Sequence, residues 1–396
     1  MPFPFHAPEL LAVLTLLAWM TLFFAWGGFW QVWEWDADRA EAIKEPTAWP
    51  AVTAVIPARN EAGTIAEVVA ALAKQEYPGA LSIFVVDDHS EDETAKLAHD
   101  AALQAPEQFP VAVISAPPLA PGWTGKLWAL NAGVRRAEAT PAEFLWFTDA
   151  DVLHHARTLR RLVARAEQNS LDLASLMVLL KAKSFAERLL IPPFLYFFLM
   201  LYPPKWIANS RARTAGAAGG CILLRRAALA RMGGLSAIRG ELIDDCALAH
   251  AVKRSGGTTW MGLTRASRSL RSYKRFGEIR DMIARTAFTQ LRYSPFLLFG
   301  TLLGMLFTFV LPVALTLSPE RRVWPFALAA WCLMTASFLP TVAFYRLSPV
   351  WAPCLPISAM FYAFATWLSA LRHWLGRGGQ WKGRAQGNRA SPGSVA

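Results

Sequence analysis

The pattern of apolar and polar positions divides the chain into membrane-like ends and a strand-and-helix middle. Leu10–Trp30 contains no charged residue. As a helix rising 1.5 Å per residue, its roughly 21 residues span about 31 Å, enough to cross a hydrocarbon core. A signal peptide would want a positive leading region and a small-residue cleavage site, and neither is visible. Residues 1–34 therefore read as a retained anchor. A polar, Pro-containing linker, Asp36–Pro50, follows.

From there, short apolar runs alternate with helical stretches. Val52–Pro57 predicts a strand, Ala62–Lys74 an amphipathic helix, Leu81–Val86 a second strand and Glu91–Leu103 a second helix. Val111–Ser115 and Phe144–Phe147 continue the strand series. Strands separated by such helices imply parallel βαβ units, a sheet covered on both faces and ligands at the carboxyl ends of the strands. The fold class is α/β, with this domain occupying residues 50–294.

Leu189–Ile207 turns apolar again but is broken by Pro192-Pro193 and Pro203-Pro204. Between the pairs, Phe194–Tyr202 would form a helix of about 14 Å, too short to cross. Aromatic and flanked by Arg188 and Lys205, residues 185–207 fit a segment lying in the membrane interface; a buried core helix is the competing reading. After Pro295, the stretches Phe296–Leu317, Val323–Tyr345 and Val350–Leu371 are each long enough to span and form a membrane domain over 295–372. Residues 373–396 form a basic tail rich in Gly, Ser and Pro that reads as disordered.

No Lys or Arg precedes the first apolar run, whereas Arg39 and Lys44 follow it, which places the middle domain in the cytoplasm. Three full crossings at the other end would then leave Arg321, Arg322 and the basic tail outside, against the same rule. The third stretch, with Pro353 and Pro356, is the candidate for one that does not cross.

Composition agrees with membrane contact: 54% of the residues are hydrophobic and the mean hydropathy is +0.27. The net charge of +11 points to topology or anionic lipid, because no nucleic-acid motif accompanies it. Cys221, Cys246, Cys332 and Cys354 lack C-x-x-C spacing, which argues against a disulfide framework or zinc site and for a reducing compartment.

Candidate chemistry sits at the strand ends. The run Phe144–Val152 ends on Asp149 and Asp151, which leave a strand on the same side and suit a hard divalent cation completed by substrate phosphates. Alternatively, Asp151 caps a helix starting near His155. Pro57–Glu61 and Asp87-Asp88 place acids where a base or ribose could donate to them, while Ser90 and Asp92 could cap the next helix. Lys126 follows a Gly turn at a helix start, a place that favours phosphate. The run Ala215–Gly220 lets backbone approach a ligand or packs as a tight turn. Glu241, Asp244 and Asp245 crowd together, which raises carboxyl pKa values unless a cation or a function compensates; helix capping by Asp244 is the simpler alternative. Arg292, just before the membrane domain, could meet lipid headgroups or a pyrophosphate.

In order and content, these clusters from Val52 to Tyr293 resemble an inverting glycosyltransferase of family 2 with a GT-A fold. Within it they are most similar to membrane-anchored lipid glycosyltransferases, namely ceramide glucosyltransferase and the hopene-associated enzymes of bacteria. The resemblance implies that Glu61 and Asp88, supported by Asp87 and Pro57, bind the nucleotide and that Asp149 and Asp151 are the D-x-D pair for Mg²⁺ or Mn²⁺. It also implies that Asp245, beside Asp244, is the catalytic base, with Lys126 and Arg292 on the donor diphosphate. Thr289 and Tyr293 depart from the Q/R-x-x-R-W pattern of many members, which weakens any polymer-making reading.

The implied reaction moves one sugar from a nucleotide-diphosphate sugar, such as a UDP-sugar, to a membrane-lipid hydroxyl. A hopanoid-type lipid is the implied acceptor, but a pure hydrocarbon such as hopene offers no nucleophile. The implied location is the bacterial inner membrane, multi-pass, with the catalytic domain facing the cytoplasm. A processive polysaccharide synthase and a non-catalytic membrane scaffold are the alternatives.

Overall fold

The computed structural model describes residues 6–32, 43–376, 380–381 and 384–385. The first part of the expected linker and most of the expected basic tail lie outside the described residues. Two compact units emerge. One comprises Met1–Val32, Lys181–Lys205 and Ser272–Gly378, the other Trp33–Leu180, Trp206–Arg271 and Gly379–Ala396.

The second unit is built on an eight-stranded sheet: β1 (Val52–Ala58), β2 (Leu81–Asp87), β3 (Val111–Ser115), β4 (Phe144–Thr148), β5 (Val152–Leu153), β6 (Leu173–Leu179), β7 (Cys221–Arg225) and β8 (Thr259–Ser269). Its spatial order is β3-β2-β1-β4-β7-β6-β8-β5. The four strands expected from apolar runs are present and mutually parallel. Beyond them the sheet is mixed, because β7 runs antiparallel to both β4 and β6.

Side-chain alternation builds a core on each face of this sheet. Phe144, Trp146, Cys221 and Leu223 pack on one face with Leu72, Leu159 and Leu162 of the helices Ile65–Ala73 and Thr158–Gln168. Leu145, Phe147, Ile222 and Leu224 pack on the other with Leu127, Leu130 and Leu248 of the helices Gly125–Ala137 and Asp244–Arg254. Gly133 lets the helix Gly125–Ala137 approach β1 closely, since a Cβ there would lie 2.3 Å from Val55 Cγ1.

The helices after β1 and β2 begin at Ile65 and Thr94, three residues later than expected. The residues before them lace the two strand-end loops together: Asn60 N–H donates to Ser90 Oγ (3.0 Å), Glu61 N–H to Thr94 Oγ1 (2.7 Å) and Ala62 N–H to Asp92 Oδ2 (3.2 Å). Ser90 is thus a loop tie rather than a helix cap.

In the helical unit, five helices of the described chain are long and apolar enough to cross a membrane, Ala7–Ala25, Phe185–Ala208, Pro295–Leu315, Trp324–Phe344 and Pro349–Trp374. The expected break at Pro192-Pro193 does not occur, and one helix runs over Phe185–Leu201. Pro193 has no N–H for the carbonyl of Leu189, but Ser358 Oγ donates to that oxygen at 2.8 Å, so the missing bond is replaced. Tyr196 Oη and Ser337 Oγ meet at 2.7 Å, and Tyr362 Oη donates to the Leu190 carbonyl at 2.8 Å. The length argument that made this segment a short stub therefore fails.

Candidate active site

Asp149 and Asp151 flank the turn between β4 and β5. The expected helix begins at Thr158 without a side-chain cap, so Asp151 is no helix cap. It is held instead by the end of β8. Val152 pairs with Ser269, and Leu270 N–H donates to the Asp151 carbonyl at 2.7 Å. Beneath the turn, Thr148 Oγ1 lies 2.7 Å from His154 Nε2, and His154 Nδ1 lies 2.9 Å from Ser267 Oγ. Thr148 also donates to the Gly220 carbonyl at 3.1 Å, which ties the turn to the glycine run.

Lys126 occupies the first turn of Gly125–Ala137, and its Nζ lies 2.9 Å from Asp149 Oδ1 and 3.2 Å from Asp244 Oδ2. Asp244 opens the helix Asp244–Arg254 without acting as its cap. Asp245 is held by backbone: Gly219 N–H donates to Oδ2 (2.9 Å) and Cys246 N–H to Oδ1 (2.7 Å). Gly219 is confined there, since a Cβ would sit 3.2 Å from Lys126 Nζ and 3.3 Å from Asp245 Oδ2.

Electrostatics follow from this crowding. Burial opposes charge on Lys126, but Asp149, Asp244 and Asp245 outweigh it and hold the ammonium above its ordinary range. Burial raises the Asp149 carboxyl, Lys126 pulls it down, and Asp151 and Asp244 push it up again, leaving it above the usual value. For Asp245, burial and the charge of Asp244 outweigh Lys126 and the two N–H donors, lifting it to about 6.

The structure brings Pro57, Lys126, Asp149, Gly219, Asp244 and Asp245 around one pocket. Asp151 and Glu61 are joined by a residue that the sequence did not single out. Arg271 places Nε 3.2 Å from Asp151 Oδ2 and a terminal nitrogen 3.0 Å from Glu61 Oε1. Asp87 and Asp88 end β2 beside β1 in register with Ala58. Asp87 Oδ1 is buried without a hydrogen-bond partner, an acceptor available to a nucleotide N–H or O–H. Arg292 belongs to the helical unit, where it is exposed and left-handed (φ 50°).

No group of three His, Cys, Asp or Glu side chains among the described residues could hold a metal alone. The pair Asp149 and Asp151 still fits a divalent ion. Five carboxylates here (Glu61, Asp149, Asp151, Asp244 and Asp245) face two cations, Lys126 and Arg271. Mg²⁺ and Mn²⁺ sites of this kind take one or two carboxylates and complete the shell with phosphate and water.

A Rossmann-like sheet whose parallel half ends in acidic loops, continued by antiparallel strands, is the GT-A fold. Residues 50–289 match the family described as Glycosyltransferase like family 2, and the chain belongs to that family. A similar chain is an N-acetylglucosaminyltransferase of Mesorhizobium japonicum, 26% identical over 190 residues. The match takes in 46% of this chain and 41% of that relative's length, so the two share less than half of either protein. Among solved structures, the mannosyltransferase PcManGT of Pyrobaculum calidifontis, in complex with GDP-Man and Mn²⁺, superposes with a TM-score of 0.55 at 21% identity. That superposition covers 92% of this chain and 99% of the other.

Proposed function

We propose that the protein is an inverting, metal-dependent glycosyltransferase that moves one sugar from a nucleotide-diphosphate sugar to a hydroxyl of a membrane lipid, with a hopanoid-type lipid as the acceptor to test first. The observation that carries this reading is the single cavity into which Lys126, Asp149, Asp244 and Asp245 all project. Glu61, Asp87 and Asp88 receive the nucleotide, and Lys126 meets the diphosphate, as Arg292 does on the family resemblance. Asp149 and Asp151 would hold Mg²⁺ or Mn²⁺, which supplies Lewis-acid stabilisation of the leaving diphosphate.

Asp245 accepts the acceptor's hydroxyl proton as that oxygen bonds to the anomeric carbon. The bond from that carbon to the phosphate oxygen breaks, and the nucleoside diphosphate leaves with the electron pair. Attack opposite the leaving group inverts the configuration. Two backbone N–H groups aim Asp245, and Asp244, paired with Lys126, keeps the neighbouring charge balanced.

The helix Phe185–Leu201 is assigned to the membrane interface. The multi-pass placement is in the bacterial inner membrane with the catalytic unit in the cytoplasm. Support comes from the five apolar helices and the ceramide glucosyltransferase-like motif order. The test incubates purified protein with nucleotide sugars, Mn²⁺ and total bacterial lipid and reads new glycolipids by mass spectrometry. Transfer should fall by about 10²–10⁴-fold in Asp245→Asn and be abolished in Asp149→Ala; undiminished transfer in both variants would sink the reading.

A further inference from the structure

The nucleotide acid Glu61 and the metal-pair acid Asp151 lie on different loops, yet one guanidinium grips both. Arg271 reaches them from the end of β8, with its own N–H donating to Ser269 Oγ at 3.2 Å while that hydroxyl faces Asp151 Oδ2 at 3.4 Å.

We propose that Arg271 is a donor-binding residue: its guanidinium bridges Glu61 and Asp151, and it exchanges part of that internal ion pair for the donor's diphosphate. The inference rests on the reading of the site as one for a nucleotide-diphosphate sugar. Geometry supports it, since a planar fork can span two carboxylates and then meet phosphate oxygens, which a lysine's point charge does less well. The carboxylates that Arg271 neutralises are those a metal and a nucleotide would claim.

The arrangement predicts that the two ligands respond differently. With purified full chain, calorimetry follows Mn²⁺ alone and then GDP and UDP at saturating Mn²⁺. In Arg271→Ala, Mn²⁺ alone should bind as tightly as in wild type or up to about tenfold tighter, because a like charge has left Asp151. The better-bound nucleoside diphosphate should bind about tenfold more weakly, because its cation is gone. Arg271→Lys should recover part of the diphosphate affinity. Equal losses for Mn²⁺ and diphosphate in Arg271→Ala would make Arg271 a strut and overturn the proposal, as would diphosphate affinity equal to wild type. Wild-type protein that binds neither ligand would bring down the proposed function, and this inference with it.

Discussion

At the scale of single residues, the proposed base Asp245 should set the pH behaviour. A general base must be ionised to accept a proton. Burial and Asp244 raise its carboxyl to about 6, so activity should be full above that pH and fall as the pH drops through it. Stability has the opposite sign. A carboxyl whose folded pKa exceeds its ordinary 3.8 is less unfavourable to the fold once protonated, so its contribution improves as the pH falls from about 6 towards 3.8. A pH–rate profile whose acidic limb disappears in the residual activity of Asp245→Asn supports the assignment. An acidic limb that survives the substitution assigns the titration to another group. This separation of roles was only partly legible in sequence: the crowding of Glu241, Asp244 and Asp245 was visible, but not the Gly219 N–H that aims Asp245.

Among elements, the corner joining β4, β5 and β8 carries the proposed metal pair, and its hidden support is His154. Burial lowers its imidazole from 6.5 to about 3, so it is neutral and bridges Thr148 and Ser267. A His with a lowered pKa stabilises the fold fully above about 6.5 and less as the pH falls towards 3. His154→Ala should therefore destabilise the catalytic unit by about 1–3 kcal/mol at neutral pH, by leaving buried hydroxyls short of a partner. Its Tm should also fall less steeply than wild type as the pH drops below 6.5, and parallel Tm curves would count against the bridge. The sequence showed β1 to β4 because each is a short apolar run between helices. It hid β8 because Thr264, Ser267 and Ser269 are buried in that strand, so polar type no longer signals exposure. Arg271 was hidden for a related reason, since its partners Glu61 and Asp151 are over a hundred positions away and no local motif announces it.

Across the whole molecule, chain connectivity limits how the membrane can be threaded. β6 ends at Leu179 and β7 begins at Cys221, and the two strands pair in one sheet, so both ends of the intervening chain must lie on the same side of a bilayer. One crossing by the helix Phe185–Leu201 would put them on opposite sides unless residues 209–220 returned through the hydrocarbon. That return would be non-helical backbone, which lipid does not tolerate. Length and hydropathy alone would count this helix as a span. Sheet pairing instead supports the proposed interfacial placement or a re-entrant one, as its aromatic content and its flanking Arg188 and Lys205 also do. With the native cysteines replaced, single cysteines at Arg188, Lys205 and the catalytic-unit residue Ser255 should all react with a membrane-impermeant maleimide from one side of sealed vesicles. A cysteine at Arg322, beyond Pro295–Leu315, should react from the other side if that helix crosses. Labelling of Arg188 and Lys205 from opposite faces would contradict the shared sheet and, with it, the interfacial role given to the helix.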